Sequence, residues 1–386
     1  MRIIVKSAFF PFLALLCCIT ACSKKEDTSV KQIAPLLKEN TFLVVHVDAT
    51  KINDASFNPV EKRLTRLMDK MATRDPETMT AEEKTQTIDQ FKKFRGDFSA
   101  TLHHLQQEKI GNFFIVNSLE EMQTYPNIVA FETASRPSES FDSHIGTHMG
   151  QLNAAGAFDK FHIYAKAGGF AEPINEETAG KIFGTNPPVE RPEIHGGFAA
   201  TDAAPVRILV AFPPGLKSMA KMLLGLVLMQ VPPESGITAE SVGAALDGLE
   251  TWIMTVDPAK ERLTVRINAT SPEKAREIDA LFGKFIDLAL ERMREQATGD
   301  QAKKDLEATR SLAAELKPKL EGKSLVALYD GKLLDKYEDR IVEAGLANLK
   351  AQKNQSPFAQ PGGADMPFGQ PRPEPASPFT PTPAAP

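Results

Sequence analysis

The chain predicts an α+β fold: two ferredoxin-like (βαββαβ) repeats, with one larger antiparallel sheet carrying helices on one face as the alternative arrangement of the same elements. Three observations predict it. Short strand-like apolar runs alternate with longer runs of helical period from residue 33 to residue 353. The order of elements in residues 33–172 recurs in residues 206–353. Locally, "FETASRP" (131–137) and "INATSP" (267–272) each leave a strand pattern through small residues and meet a proline that opens a helix.

Taken in order, "TFLVVHVDAT" (41–50) reads as a strand rich in β-branched residues. Leu64, Leu67, Met68 and Met71 form one stripe of a helix over 58–72. Thr80 with Glu83 is a capping box, and the helix it opens, 81–108, carries Ile88, Phe91, Phe98, Leu102 and Leu105. Strands follow at "NFFIVNSL" (112–119) and "NIVAFETA" (127–134), then a short helix over Glu139–Leu152 and the alternating strand "KFHIYAKAG" (160–168). Five prolines within residues 173–205 mark the connection between the halves.

The second half opens on the strand "VRILVAF" (206–212), with helical patterns over Leu216–Met229 and Ala239–Leu246. "ETWIMTVDPAKERLTVRINAT" (250–270) is a hairpin closed by "DPAKE". Ser271 caps a helix with Pro272 in its first turn. A helix over 301–316, the strand "SLVALYD" (324–330) and an amphipathic helix over Lys332–Leu349 complete the body.

The first residues carry a different message. Arg2 and Lys6 precede an apolar run from Ala8 to Ala21, interrupted only by Pro11 and Thr20. That is the pattern of a secretory signal, and at 14 residues it is shorter than the roughly 18 that a spanning helix needs. The run ends in Ile19-Thr20-Ala21-Cys22, which resembles the bacterial lipobox. The resemblance implies cleavage between Ala21 and Cys22, a signal peptide over 1–21, and lipid on the Cys22 thiol. Three acyl chains would hold the protein at a membrane, where one gives only marginal residence. The chain has three cysteines, and Cys17 and Cys18 would leave with the signal, so no disulfide is expected despite an oxidising compartment. Ser23 after the cysteine implies the periplasmic face of the outer membrane. Residues 22–32 are polar and read as a tether.

At the other end, residues 354–386 hold ten of the 28 prolines and read as a disordered tail of polyproline II character. Pro-Phe recurs there at 357/358, 367/368 and 378/379; the segment reads as a solvated spacer with incidental phenylalanines, with a weak repeated docking element for an envelope protein or the cell wall as the alternative. Losing Arg2 and Lys6 takes 45 basic residues to 43 against 50 acidic, a formal charge of −7. An acidic chain without Lys/Arg clusters is a poor nucleic-acid binder.

The lipobox, the opening "LLKENTFLVVHVDATKI" and the stretch "LETWIMTVDPAKERLTVRINATSPEKAREIDALF" together resemble a group of functionally uncharacterised secreted or lipid-anchored proteins of planctomycete-type bacteria. No catalytic motif defines that group. The resemblance implies a duplicated α+β body and lends no activity.

Candidate sites are few. His144 and His148, four apart on a helix with Asp142 nearby, have the spacing of two metal ligands, and a third would have to come from a strand folding back with His162. This constellation would serve a metal-dependent envelope hydrolase. His103 and His104 are adjacent and read as helix surface. "EGKS" (321–324) lacks the first glycine of a phosphate loop and precedes a strand. The pairs Glu82/Glu83, Glu120/Glu121 and Glu176/Glu177 read as solvated surface. "MAKMLLGLVLMQV" (219–231) is the most apolar stretch of the body; it is either a buried helix or, through Met222, Leu223 and Leu226, a contact for lipid, another apolar ligand or a partner. Trp252, the single tryptophan, reads as a core residue. The expectation is a noncatalytic binding or scaffolding module without cofactor, lipid-anchored in the cell envelope.

Overall fold

The computed structural model describes residues 34–119, 127–133, 137–148, 154–158, 161–166, 189–201, 204–228, 231–296 and 300–354. The signal and tether expected over 1–32, the tail from 355 onward and residues 173–188 of the connection lie outside them. In chain order the first half gives β1 (Thr41–Asp48), α1 (Asn58–Arg74), α2 (Ala81–Gln107), β2 (Asn112–Ser118), β3 (Asn127–Glu132), α3 (Glu139–His148), β4 (Ala154–Phe158), β5 (Phe161–Lys166) and α4 (Pro192–Ala199). The second gives β6 (Val206–Ala211), α5 (Pro214–Leu228), α6 (Ala239–Gly248), β7 (Leu249–Asp257), β8 (Arg262–Ala269), α7 (Pro272–Gln296), α8 (Asp300–Leu316), β9 (Lys319–Glu321), β10 (Ser324–Asp330), α9 (Gly331–Lys336) and α10 (Glu338–Asn354).

The ten strands form one sheet in the order β4-β5-β3-β2-β1-β6-β7-β8-β10-β9. Each neighbouring pair is antiparallel. The fold is therefore α+β with a single antiparallel sheet, and its strand order is not ferredoxin-like. In a ferredoxin-like unit one helix carries the chain back, so that the next strand runs parallel to the first with another between them. Here α1 and α2 pack on each other as a helical hairpin. Two helices return the chain to the end it left, and β2 lies antiparallel directly beside β1. The pair α5 and α6 does the same between β6 and β7. Outward from the central β1/β6 pair, the order reads β1-β2-β3-β5-β4 on one side and β6-β7-β8-β10-β9 on the other.

Strand side chains alternate between two faces, and both faces carry helices, which corrects the expectation of helices on one face only. On the first face Val47, Val129, Phe131 and Tyr164 pack with Leu102 and Leu105 of α2 and Phe141 and Ile145 of α3. Met254, Val256 and Leu263 on the same face meet Leu64, Leu67, Met68 and Met71 of α1 and Val342 and Leu346 of α10. On the opposite face Val44, Phe114, Leu209 and Ile253 are covered by Ile194 and Phe198 of α4 and by Leu36 and Leu37. The prolines of the expected connection hid α4, whose Pro192 stands in its first turn, where the missing N–H costs nothing.

Local chemistry fixes the remaining boundaries. The Thr80/Glu83 capping box starts α2 as its sequence predicts. The expected helix over Lys332–Leu349 breaks at Tyr337 into α9 and α10, with the Asp330 carboxylate accepting the Leu333 N–H at 2.7 Å to start α9. "EGKS" is the turn of the β9/β10 hairpin, with Gly322 at φ +63°, as its rejection as a phosphate loop requires. Strands β4 and β9 escaped the sequence reading because "AAGAF" and "KLE" are too poor in β-branched residues to signal a strand.

Candidate functional site

Of the residues predicted to hold metal, His144 and Asp142 each face a different partner. His144 points back to α2: its Nε2 lies 3.0 Å from Thr101 Oγ1, and its ring sits 4.1 Å, centroid to centroid, from that of His104. Asp142 accepts the Tyr164 hydroxyl instead of turning toward the histidines. His148 is the last residue of α3, and its side chain lies outside the described part of the helix. His162 stacks edge-on against Tyr164 in β5. Among the described residues no group of three His, Cys, Asp or Glu side chains stands together as metal ligands would. The exposed His103 fits helix surface, whereas His104 is half-buried against His144.

A polar chain that the sequence reading missed crosses four adjacent strands, β6, β1, β2 and β3, on the α4 face. Arg207 of β6 donates through Nη2 (2.7 Å) and Nε (3.2 Å) to His46 Nδ1 of β1. With Nδ1 accepting, the ring is neutral and carries its proton on Nε2, which donates to Asn112 Oδ1 of β2 at 2.9 Å. Asn112 Nδ2 in turn donates to Glu132 Oε2 of β3 at 3.1 Å. Burial holds the His46 pKa below its ordinary value against the raising effect of its Asn112 bond, and pushes the Arg207 guanidinium down to about 10. Phe114 stacks on His46 at 4.8 Å and Phe198 of α4 covers Arg207 at 5.3 Å. A buried ladder of this kind defines strand register.

The feature with the form of a binding site lies on the other face. Trp252 of β7 stands opposite Ile267 of β8. The Thr238/Ser241 capping box starts α6 and sends Val242, Ala245 and Leu246 along one stripe toward that pair. Ser271 Oγ accepts the Lys274 N–H at 3.2 Å to cap α7, whose Ile278, Leu281, Phe282 and Phe285 form the facing stripe. Between the two stripes is a cavity of about 190 Å³, lined also by Phe212 and Leu249 and almost wholly by carbon. Phe285, 40% exposed, stands at its mouth. A second hollow, between α5 and α6, shares Val242 and Leu246 with the first.

The "MAKMLLGLVLMQV" segment falls partly on α5, and its Met222 and Leu223 are 69% and 55% exposed. They belong to an open helix face rather than to the buried alternative; the side chain of Leu226 lies outside the described atoms. Trp252 is at once core and cavity wall, packing against the apolar clusters beneath α1 and beneath α7. The volume decides what such a cavity can hold. Small-molecule and cofactor sites run to about 300–1,000 Å³, so this one admits a single aromatic or branched side chain.

Comparison of the chain with protein-family models, with curated proteins and with solved structures gives no match. None of the described helices is long and apolar enough to cross a membrane.

Proposed function

We propose that this protein is a lipid-anchored cell-envelope protein, with a body repeated in architecture, that works as a noncatalytic binding module by accepting one apolar side chain of a protein segment in the Trp252 cavity. The observation that carries the reading is the cavity itself: a concave, carbon-lined recess of about 190 Å³ with an exposed phenylalanine at its mouth. Apolar pockets that receive one large side chain are the usual energetic centres of protein–protein contacts. Burying a phenylalanine contributes about 1.5–3 kcal/mol. The size counts against a carrier of whole lipids, and His144 held by Thr101 counts against a hydrolase using His144 and His148.

Anchoring rests on the lipobox at Cys22. A fatty-acid label is expected on the wild-type chain and absent from Cys22→Ala; equal labelling removes the anchor. The docking reading is tested in intact cells by replacing Phe285 with the photoreactive benzoylphenylalanine in the full chain. Illumination is expected to give a covalent adduct with a polypeptide segment. Adducts with acyl chains, or none above background, would contradict it.

A further inference from the structure

The proposed docking site leaves its occupant open, and this chain carries three candidates of the right size. Resting on that reading, we propose that the cavity is occupied in cis by a Pro-Phe element of residues 355–386, which a partner must displace. The segment contains Phe358, Phe368 and Phe379, each directly after a proline. Proline before the ring restricts the backbone around the docking residue and lowers the ordering cost of inserting it. With one arginine against one aspartate and one glutamate, the segment has a formal charge of −1, so no charge need enter the carbon-lined recess.

Geometry allows it. The last described helix, α10, ends at Asn354 and packs on the same face of the sheet as the cavity. Trp252 links the two, since it touches the cluster containing Val342 and Leu346 and also forms the cavity wall. Phe368 lies 14 residues past Asn354, about 43 Å of chain at about 3.1 Å per residue. A body of this length has a radius of gyration of about 20 Å. Such a body is about 50 Å across, so Phe379, about 78 Å out, reaches any point on that face and Phe368 most of it, while Phe358, about 12 Å out, reaches only what lies beside the end of α10.

A link of this length gives an effective concentration in the millimolar range, comparable with the affinity of one buried ring, so occupancy is partial and exchange is easy. A partner then binds with an affinity reduced by the fraction of cavities already filled.

The experiment uses the chain from Ser23 to Pro386, which keeps every described residue, and a triple variant Phe358→Ala, Phe368→Ala, Phe379→Ala. Toluene is the probe and the emission of Trp252, the only tryptophan, is the readout. The triple variant is expected to bind toluene about two- to fivefold more tightly than the parent. Restoring Phe368 alone should return part of the difference. Equal affinities overturn the tail occupancy and leave the cavity standing. Absence of saturable binding in both chains overturns the docking reading itself. A difference that grows with protein concentration assigns the ring to a second copy and overturns occupancy in cis.

Discussion

Arg63 and Glu261 meet as a two-bond fork across 198 residues of sequence, Nε to Oε1 at 2.8 Å and Nη2 to Oε2 at 2.7 Å. Arg63 also donates to Asp335 Oδ1 at 2.7 Å, so one guanidinium ties α1 to the β7/β8 turn and to α9. Glu261 sits at φ +47°, a left-handed backbone position at which few non-glycine residues settle. The bond to Glu261 raises the Arg63 pKa.

Removing one side of this fork should be costly. Arg63 is only 6% exposed, and Arg63→Ala leaves the Glu261 carboxylate, itself 17% exposed, without its partner. The expected loss is about 3–5 kcal/mol in urea unfolding. Arg63→Lys should recover only part, since an ammonium cannot form both bonds of the fork. A loss below about 1 kcal/mol for the alanine variant would mean the fork is dispensable.

Gly197 tests the contact of α4 with the sheet. A Cβ there would lie 2.6 Å from Leu209 Cδ1 and 3.1 Å from Ile253 Cδ1. Both neighbours are fully buried and have nowhere to retreat. Alanine favours the helix by about 1 kcal/mol, but overpacking costs about 1–3 kcal/mol, so Gly197→Ala is expected to lower the melting temperature. Gly196→Ala, where a Cβ meets nothing within 4 Å, should leave it unchanged or raise it.

His46 makes stability depend on pH. In the unfolded chain its ring titrates near 6.5, and in the folded protein lower, because burial disfavours the cation more than Asn112, Asp48 and Glu132 favour it. Between those values the unfolded state binds more protons, so stability rises with pH. The contribution is complete above about pH 6.5 and fades as pH falls toward the folded value. Comparison of wild type with His46→Gln by urea unfolding at pH 7.5 and pH 5 is expected to show the wild-type advantage shrinking at the lower pH. A constant gap would place the pH dependence elsewhere.

Much of the body is legible in the sequence where one local signal suffices. The Thr80/Glu83 box, Pro272 behind Ser271 and the alternation of "VRILVAF" each specify an element without help from distant residues. Strand order is different, because the linear series matches a ferredoxin-like unit only when the two helices over 58–72 and 81–108 are counted as one helical layer. Only the pairing of α1 with α2 as a hairpin distinguishes that unit from this meander, and that is a tertiary contact. The cavity was illegible for a related reason. Val242, Leu246, Ile278 and Phe282 read as ordinary apolar residues in their own helices, and the recess lies where the stripe containing the small Ala245 faces that of α7, a separation the sequence does not state. His46 was hidden among valines, where its partner Arg207 lies 161 residues away.

The cavity at Trp252 is the centre of the account, and titration with toluene followed by Trp252 emission tests it most directly. The account predicts saturable single-site binding to the chain from Ser23 to Pro386, lost in Ala245→Phe, whose ring fills the recess, with the far-ultraviolet circular dichroism of that variant unchanged. Emission that changes linearly without saturation, or equal saturation in the filled variant, would contradict it.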